Sequence, residues 1–437
     1  MPKEKLDYIM GNPPFVGARL MNTAQKNDVL EIFNGVKGNG NLDYVACWYK
    51  KASDMMTGTG IRTALVSTNS ITQGEQVAIL WKYLFEKGVH IDFAYKTFRW
   101  DSEANSKAKV HCVIVGFSKS YNKAEKRLYD TEKSSYKVVK NINGYLVETD
   151  DIIISSRSKP ICNVPEIVFG SMPNDKKGLL SNYSDEKREE IIKKYPQSEP
   201  LFKKFLGAEE FINNKSRWCL WLVNTSPKAI IDIPPIADVI RLVKESREQS
   251  TRKGTREQAK TPMLFGEIRQ PDKNYIIIPK TSSEKRKYIP MGFMTPDVIC
   301  GDANFMIPNA SLYHFGVLTS NVHMAWVRAV CGRLKSDYRY SKDIVYNNFV
   351  WCNPTPEQKK AIEKTAQAIL DVRQKYADSS LADMYGENMY LYSDLVTAHQ
   401  NNDREVMKAY GFWGKIKSES ECVAELMKMY QQMTEKE

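Results

Sequence analysis

Apolar and polar side chains in the first part of the chain follow two alternating patterns. Short apolar runs, typical of buried strands, lie at 6–10, 61–67, 89–95 and 110–117. Apolar residues at helical spacing lie at 42–57 and 75–87. Strands that alternate with helices predict a mostly parallel sheet with helices on its faces, and the last two strands can pair as an antiparallel hairpin. We therefore expect an α/β domain over residues 1–125.

The pattern changes after this domain. Residues 126–150 are polar and rich in lysine, which predicts a linker or an edge hairpin. Short apolar runs split by prolines follow, together with two helices predicted near 184–195 and 236–249. Residues 151–354 are therefore predicted to form an α+β domain.

The last part of the chain is predicted to be helical throughout. Thr355 precedes Pro356, and a capping residue followed by a proline in the first turn is typical of a helix start. The periodicity predicts helices at 356–376, 380–398, 402–410 and 418–434. We expect residues 355–437 to form a third, helical domain.

The composition is that of a globular protein with a basic surface. The 437 residues are 42% hydrophobic and 26% charged, which suits two to three domains. No apolar run has the length of a membrane span, and the start of the sequence lacks the apolar core of a signal peptide, which predicts a cytoplasmic protein. The net charge of +11 favours polyanionic partners, because neutralised phosphates release counterions.

The eight cysteines show no pattern that indicates a metal or disulfide site. They form no C-x-x-C pair and have no zinc-finger spacing to the five histidines. We interpret them as reduced thiols and expect no metal site.

The segment with the clearest chemistry is Asn12-Pro13-Pro14-Phe15, directly after the first predicted strand. An exocyclic amine that is to be methylated must expose its lone pair, so two acceptors have to hold its two hydrogens. The side-chain oxygen of Asn12 supplies one acceptor. The carbonyl of Pro13 supplies the other, because the prolines fix the backbone and keep this oxygen out of a strand ladder.

Phe15 adds an apolar face on which a base taken out of the double helix can stack. The same four residues also suit a tight turn after an edge strand. On the residues alone, both interpretations stay open.

At this point the sequence resembles a known family. Residues 6–15, Leu-Asp-Tyr-Ile-Met-Gly-Asn-Pro-Pro-Phe, resemble motif IV of amino-group DNA methyltransferases, and the whole chain resembles the MmeI-like restriction–modification enzymes. Further segments that resemble this family lie at 38–45, 64–70, 97–100, 110–117, 216–218 and 323–341. The resemblance implies a partial class I methyltransferase sheet from motif IV onward, then an α+β target-recognition domain and a helical segment.

The resemblance also implies a reaction and its partners. We expect S-adenosylmethionine-dependent methylation of adenine N6 in double-stranded DNA, with the target base flipped out of the helix. By their position in the family, Phe98 and Trp100 are candidates for a second aromatic that closes the base pocket opposite Phe15. Each of the two also suits an aromatic of the core or of a loop.

The family binds the methyl donor through a glycine-rich loop and an acidic residue upstream of motif IV. Gly38-x-Gly40 and Gly58-x-Gly60 do not replace this loop, because neither follows a predicted strand. We therefore expect the donor site to lie largely outside this chain, in a missing N-terminal region or a partner chain. No residue of this chain is assigned to it.

Basic residues cluster in two places. The first, residues 241–260, holds seven basic side chains and suits a solvated helix end or a surface that tracks phosphates. The second, residues 326–342, interleaves aromatics with Arg328, Arg333, Lys335, Arg339 and Lys342, and suits a solvated helix end or DNA recognition.

Lys335 and Asp337 stand two residues apart, so an extended or loop segment presents both to the same DNA groove. Lysine donates to guanine O6 and N7, and aspartate accepts from cytosine N4. We predict that this pair reads one G·C base pair. Arg328, Arg333 and Arg339 bind phosphates or pack structurally in this prediction.

Two functions besides adenine methylation stay open. The chain could be a DNA-binding specificity module that acts with a separate cofactor-binding chain. It could also methylate a glutamine amide, which N-P-P-aromatic motifs also serve, although the basic charge and the long recognition region argue against this. Cytosine-C5 methylation needs a nucleophilic cysteine, usually after proline, and the sequence has no Pro-Cys dipeptide.

Overall fold

The computed structural model describes residues 2–100, 110–120, 125–131 and 134–435. Contacts divide the chain into two compact units, each of them discontinuous in sequence. The first unit comprises Met1–Cys162, Ala325–Cys352 and Gly411–Glu437, and the second comprises Asn163–Met324 and Asn353–Tyr410. Within the described ranges, none of the helices combines the length and hydropathy that a membrane span requires.

Sixteen strands are present in the described part of the chain. They are β1 (Tyr8–Gly11), β2 (Arg62–Thr68), β3 (His90–Trp100), β4 (Val110–Ser118), β5 (Lys126–Asp130), β6 (Ser135–Val139), β7 (Val168–Phe169), β8 (Phe202–Leu206), β9 (Trp218–Leu220), β10 (Tyr275–Pro279), β11 (Thr281–Ser282), β12 (Gly292–Met294), β13 (Ile299–Cys300), β14 (Asn304–Pro308), β15 (Arg333–Leu334) and β16 (Asp337–Arg339).

The same ranges contain fourteen α-helices. They are α1 (Thr23–Ile32), α2 (Ala46–Met56), α3 (Gly74–Glu86), α4 (Asp185–Lys194), α5 (Ala208–Asn213), α6 (Lys228–Ile231), α7 (Pro234–Glu248), α8 (Lys253–Glu257), α9 (Leu312–Leu318), α10 (Asn321–Val330), α11 (Pro356–Lys375), α12 (Leu381–Met384), α13 (Ser393–Ala409) and α14 (Glu419–Thr434). Short 3-10 turns include Asn39–Asn41 and Asn69–Thr72, and Lys342–Tyr346 is a π-helical turn.

The first unit is built on a six-stranded sheet in the order β1-β2-β4-β3-β5-β6. β1 is parallel to β2, and β3 is parallel to β5. β4 lies antiparallel between β2 and β3, and β6 is antiparallel to β5 at the edge. The antiparallel closing pair and the edge hairpin are therefore confirmed.

The prediction of a mostly parallel sheet is wrong, because the sheet is mixed. Only residues 101–109 connect β3 to β4. Nine residues are too few for the crossover that joins parallel neighbours, so β4 pairs antiparallel with β3 as predicted. β4 also lies between β2 and β3, so these two parallel strands are not neighbours, and each contacts an antiparallel strand instead.

Helices α2 and α3 supply the core on one face of this sheet. Trp81 of α3 is fully buried, and its indole Nε1 donates to the carbonyl of Ile71 at 2.9 Å. Tyr49 of α2 stacks on Phe117 of β4 with ring centroids 5.2 Å apart, and its hydroxyl hydrogen-bonds to Ser67 at 2.8 Å. These contacts fix two strands and two helices to one another.

The opposite face of the sheet is open in the first unit. Tyr8 and Met10 of the edge strand β1 are 65% and 80% exposed. They line a groove of about 630 Å³ together with Phe93, Arg127 and Tyr129. The lining also includes charged side chains, and the exposed apolar side chains among them favour contact with other protein.

The second unit contains smaller sheets and a helical layer. The order β12-β10-β14-β7 is antiparallel throughout, and β8 pairs with β13 in parallel and with β9 antiparallel. Tyr275, Ile277 and Met306 are fully buried in one core beside these strands. Helix α11 packs against α9 and α13.

The basic stretch 241–260 belongs to this unit, and its charges are mostly engaged. Arg247 is 1% exposed and is held by carbonyl groups alone. Its guanidinium donates at 2.8–3.2 Å to the carbonyls of Pro173, Asn174, Gln258, Thr261 and Leu264. Arg247 therefore joins loops of the second unit and is available neither to solvent nor to phosphates.

The predicted start of α11 is confirmed in detail. Thr355 accepts a hydrogen bond from the Gln358 amide at 3.3 Å, and the Gln358 side chain accepts one from the Thr355 amide at 2.9 Å. This reciprocal capping box satisfies two backbone donors that a helix start leaves unpaired.

The predicted separate helices at 380–398 and 402–410 are wrong, because α12 is short and α13 runs without a break over Ser393–Ala409. Asn402, which favours a helix end in isolation, lies inside α13 and is fully buried. Its amide donates to the carbonyl of Gly316 at 2.7 Å and its oxygen accepts from Thr365 at 3.0 Å. Tertiary hydrogen bonds therefore outweigh local propensity here.

Candidate functional site

The segments that follow β1, β2 and β3 lie at the same edge of the six-stranded sheet. β1, β2 and β3 run in the same direction, because β1 is parallel to β2 and β4 is antiparallel to both β2 and β3. Thr68 at the end of β2 lies level with Cys112, and Cys112 lies level with Phe98 of β3. The carboxyl ends of parallel strands are where open α/β sheets bind their ligands.

The Asn12–Phe15 loop follows β1 at this edge. Asn12 and Pro14 are exposed, Phe15 is half-buried, and Pro13 is buried. Among the residues that the structure describes, neither the Asn12 side chain nor the Pro13 carbonyl has a hydrogen-bond partner. The loop therefore presents two unoccupied acceptors, one from a side chain and one from a backbone fixed by prolines.

Phe98 and Trp100 lie at the end of β3, at the same edge. A register irregularity between Tyr95 and Phe98 separates them from the regular part of the strand. Their ring centroids are 6.1 Å apart and tilted by 36°, Phe98 is half-buried, and Trp100 is 42% exposed. That either ring closes a base pocket opposite Phe15 stays a prediction.

Asp43 is a residue of this site that the sequence patterns did not single out. It lies between the Asn39–Asn41 turn and α2, and its carboxylate contacts two separate loops. One oxygen accepts from the Ala18 amide at 2.8 Å, and the other accepts from the Ser70 hydroxyl at 2.5 Å. Its place inside the family-like segment 38–45 was the only signal in the sequence.

The two glycine pairs do not form a donor-binding turn. Gly38 and Gly40 lie between α1 and α2, and Gly58 and Gly60 lie between α2 and β2. Neither pair follows a strand, as a nucleoside-binding βα turn requires. These glycines therefore do not fit the methyl donor.

Cysteine chemistry at this edge is disfavoured by burial. Cys112 lies beside Phe98 in the sheet, and burial raises the pKa of its thiol to about 11. Burial also raises the pKa of Cys47 to about 11. A thiol that stays protonated at neutral pH is a poor nucleophile.

Four of the five predicted recognition residues lie in a hairpin of the first unit, the recognition hairpin Arg333–Arg339, and the fifth, Arg328, lies in α10. β15 and β16 pair antiparallel around a two-residue turn, Lys335-Ser336. Lys335 is exposed with a φ of +59°, Asp337 is half-buried, and Arg339 is exposed. Lys335 thus lies in the tight turn, and Asp337 follows it as the first residue of β16.

Arg333 and Arg328 hold this region together. The Arg333 guanidinium lies 3.9 Å from the ring centre of Tyr338 and donates to the Ser336 carbonyl at 3.1 Å. Arg328 Nε donates to a carboxylate oxygen of Glu419 at 2.8 Å. Both arginines have protein partners inside the first unit.

Two glycines join the recognition hairpin to the amino end of α3. A Cβ atom on Gly74, whose φ is +57°, would lie 3.3 Å from the Cα atom of Gly332. This distance is tighter than most Cβ contacts, and a positive φ is strained for a residue with a side chain, so glycine is required at position 74, whereas a Cβ on Gly332 would make only an ordinary contact at 3.9 Å. The base of the hairpin therefore rests on the element that follows the Asn69–Thr72 turn at the sheet edge.

Comparison with protein families assigns nearly the whole chain. Models of the MmeI DNA-methyltransferase domain, target recognition domain and C-terminal domain match residues 2–130, 148–353 and 354–436. The chain belongs to the MmeI-like family. It thus combines a methyltransferase domain, a target recognition domain and a C-terminal domain, built from mixed sheets and helices.

Individual relatives agree with this assignment. DNA methyltransferase A of Bacillus subtilis (strain 168) is 41% identical over 432 residues, which are 98% of this chain and 48% of the relative. The structure of the type IIL restriction–modification enzyme MmeI in complex with DNA superposes with a TM-score of 0.91 at 44% identity, over 100% of this chain and 58% of that one. The chain spans about half the length of these relatives.

Proposed function

We propose that this chain supplies the target-base pocket and the sequence recognition of a site-specific adenine-N6 DNA methyltransferase of a restriction–modification system. The observation that carries this proposal is the pair of unoccupied acceptors, Asn12 Oδ1 and the Pro13 carbonyl, at the carboxyl edge of a methyltransferase-family sheet. An amine with two hydrogens needs two acceptors of this kind. Such an enzyme works in the cytoplasm, within reach of chromosomal DNA.

Each residue of the loop has a separate role in this proposal. Asn12 and the Pro13 carbonyl each accept one hydrogen of the adenine amine, which leaves its lone pair directed toward the donor. Phe15 stacks on the flipped base, and Phe98 or Trp100 closes the other side. S-adenosylmethionine supplies an electrophilic methyl group when it is bound, and no residue of this chain is assigned to hold it.

The recognition hairpin gives the enzyme its sequence specificity in this proposal. Among the described residues, the side chains of Lys335 and Asp337 have no hydrogen-bond or ion-pair partner; Lys335 lies in the turn and Asp337 is the first residue of β16. Lysine suits guanine and aspartate suits cytosine, so the two together read one G·C pair. Arg339 is exposed and binds phosphate, whereas Arg328 and Arg333 keep the hairpin in place.

The donor is held by polypeptide that covers the open side of the sheet. Tyr8 and Met10 expose large apolar side chains on the edge strand β1, and the groove beside them is lined by both aromatic and charged side chains. An edge strand with free backbone groups also accepts another strand. The same open face favours the second candidate function, a specificity module that does not methylate alone.

The test is the methylation pattern of a host without adenine methylation. The chain is expressed alone and as the restored enzyme, meaning together with the part of the Bacillus subtilis relative that it does not match. Genomic DNA is then sequenced for N6-methyladenine. We expect methylated adenines within one sequence motif in cells with the restored enzyme.

The other outcomes separate the alternatives. Sequence-specific retention of DNA fragments by the chain, without any methylation in either form, would leave only the specificity module. If neither methylation nor sequence-specific retention occurred, the proposed function would be wrong.

A further inference from the structure

We propose that Asp43 is a positioning residue that holds the backbone behind the Asn12–Phe15 loop in the geometry that the adenine amine requires. This inference rests on the proposed function, because it gives a second residue to the same site. It is carried by one carboxylate that joins the loops after β1 and β2.

The first step concerns the segment that leaves the Asn12–Phe15 loop. Asp43 Oδ1 accepts from the Ala18 amide at 2.8 Å, and the amide of the next residue, Tyr44, donates to the Val16 carbonyl at 2.9 Å. Two consecutive residues thus bind two points of the segment 16–18. Two such points fix both the position and the direction of a short backbone segment.

The second step concerns the neighbouring loop. Asp43 Oδ2 accepts from the Ser70 hydroxyl at 2.5 Å, and Ser70 also hydrogen-bonds to Thr68, the last residue of β2, at 2.9 Å. The ladder between β1 and β2 ends at the pair Gly11 and Leu65. Beyond this pair, β1 and β2 form no further ladder hydrogen bonds. The Asp43 carboxylate joins the two loops that follow these strands.

The third step concerns the support of the carboxylate itself. Leu42 and Val45 on either side of Asp43 are fully buried. The Asp43 amide donates to the Gln76 side chain of α3 at 3.0 Å. These contacts fix the position of Asp43. Its two carboxylate oxygens therefore hold both loops in a fixed position relative to α3.

The residue type suits this role. A carboxylate accepts on both oxygens, so it can bind an amide and a hydroxyl that approach from different loops. Charged acceptors also form stronger hydrogen bonds than neutral ones. An Asn at this position keeps one acceptor, and its amide can donate to Ser70 instead.

Hydrogen–deuterium exchange of the full chain, read by mass spectrometry, tests the positioning role. In Asp43→Ala we expect the peptides over residues 12–20 to exchange about tenfold faster or more, because a charge-assisted hydrogen bond is lost. Asp43→Asn should restore most of the protection. Tyr44→Phe is the matched control, since it removes only the 2.6 Å bond from the Tyr44 hydroxyl to Asp28.

Unchanged exchange at 12–20 in Asp43→Ala, or an equal change in Tyr44→Phe, would overturn the inference. If Asp43→Ala unfolds the whole chain, Ser70→Ala replaces it, with faster exchange expected at 12–20 and 69–72 only. No change at 12–20 in Ser70→Ala would likewise contradict the proposal.

Methylation by the restored enzyme then separates this inference from the proposed function. Asp43→Ala should lower the methylation rate at saturating DNA while leaving DNA affinity unchanged, and Asp43→Asn should recover much of that rate. An unchanged rate would overturn the positioning role. If the unmodified restored enzyme did not methylate at all, the proposed function would fail, while the exchange result would still decide whether Asp43 holds the loop.

Discussion

The Asn12–Phe15 loop and the recognition hairpin both lie in the first unit, and both present polar groups that have no partner in the described part of the chain. They differ in how those groups are held. In the loop, one acceptor is a backbone carbonyl and prolines fix the chain around it. In the hairpin, both groups are side chains, one in the turn and one on the strand residue after it, and the fixed part is the packing of the residues around them.

This difference matches the two tasks that we propose. The reacting amine has the same geometry in every substrate, so a backbone carbonyl fixed by prolines is a suitable acceptor for it. A recognised base pair can be any of four, so its recognition is better served by side chains that can differ between enzymes while the backbone that carries them stays the same. The frame of the hairpin consists of Arg333 stacked on Tyr338 and of the glycine contact between Gly332 and Gly74.

The largest effect is expected at the loop. Asn12→Ala removes one of the two acceptors and should lower the methylation rate of the restored enzyme on the order of 10²–10³-fold, as loss of one polar group that stabilises a transition state does. The side chain is exposed and unpaired, so the melting temperature should stay within about 2 °C. Single-turnover kinetics and thermal unfolding measure the two quantities.

The control for this variant is Asn22→Ala. Asn22 caps α1 by accepting from the Gln25 amide at 2.9 Å, so its loss should cost about 1 kcal/mol of stability and leave the methylation rate unchanged. Equal losses of rate in both variants would mean that Asn12 has no special role.

The second effect concerns specificity. Exchange of the two charges, Lys335→Asp combined with Asp337→Lys, should move the preferred base at one position of the methylated motif. Aspartate tolerates the positive φ of position 335, and each good base contact discriminates by about 1–3 kcal/mol. Sequencing of methylated DNA reads the result, and an unchanged motif would remove this pair from the recognition site.

The third effect concerns the frame of the hairpin. Gly74→Ala adds a Cβ at a positive φ and 3.3 Å from Gly332, so it should lower the unfolding free energy by about 1–3 kcal/mol. Gly332→Ala is the control, because its Cβ would meet Gly74 at 3.9 Å, an ordinary contact. Equal destabilisation by both variants would argue against the close approach as the cause.

The smallest effect distinguishes the role of Arg328 from that of Arg339. Arg328→Gln breaks the pair with Glu419 and should cost about 1 kcal/mol of stability or less, without changing the salt dependence of DNA binding. Arg339→Gln should leave stability unchanged and lower the slope of log affinity against log salt by about one. The reverse result would assign the phosphate contact to Arg328.

Local chemistry was predictable from the sequence, and long-range packing was not. The strand before Asn12 and the capping box at Thr355 depend on neighbouring residues, and both lie where they were predicted. Residues far apart in sequence are joined by the pairing of β4 with β2, by the burial of Arg247 and by the contact of Gly332 with Gly74. Periodicity and spacing contain no information on such contacts.

The position of the recognition hairpin shows the same limit. The pattern places Lys335 and Asp337 in an extended or loop segment, and the structure has them at a two-residue turn. That this segment packs in the unit of the methyltransferase sheet depends on non-local contacts. Asp43 was missed for a similar reason, because its partners Ala18 and Ser70 are 25 and 27 residues away.

The most direct test is the structure of the restored enzyme bound to a duplex that contains its methylated motif. We expect the target adenine outside the helix, with its N6 atom within about 3.2 Å of both Asn12 Oδ1 and the Pro13 carbonyl oxygen. An adenine that lies stacked in the duplex, or one whose amine is held by other residues, would contradict the assignment of the Asn12–Phe15 loop.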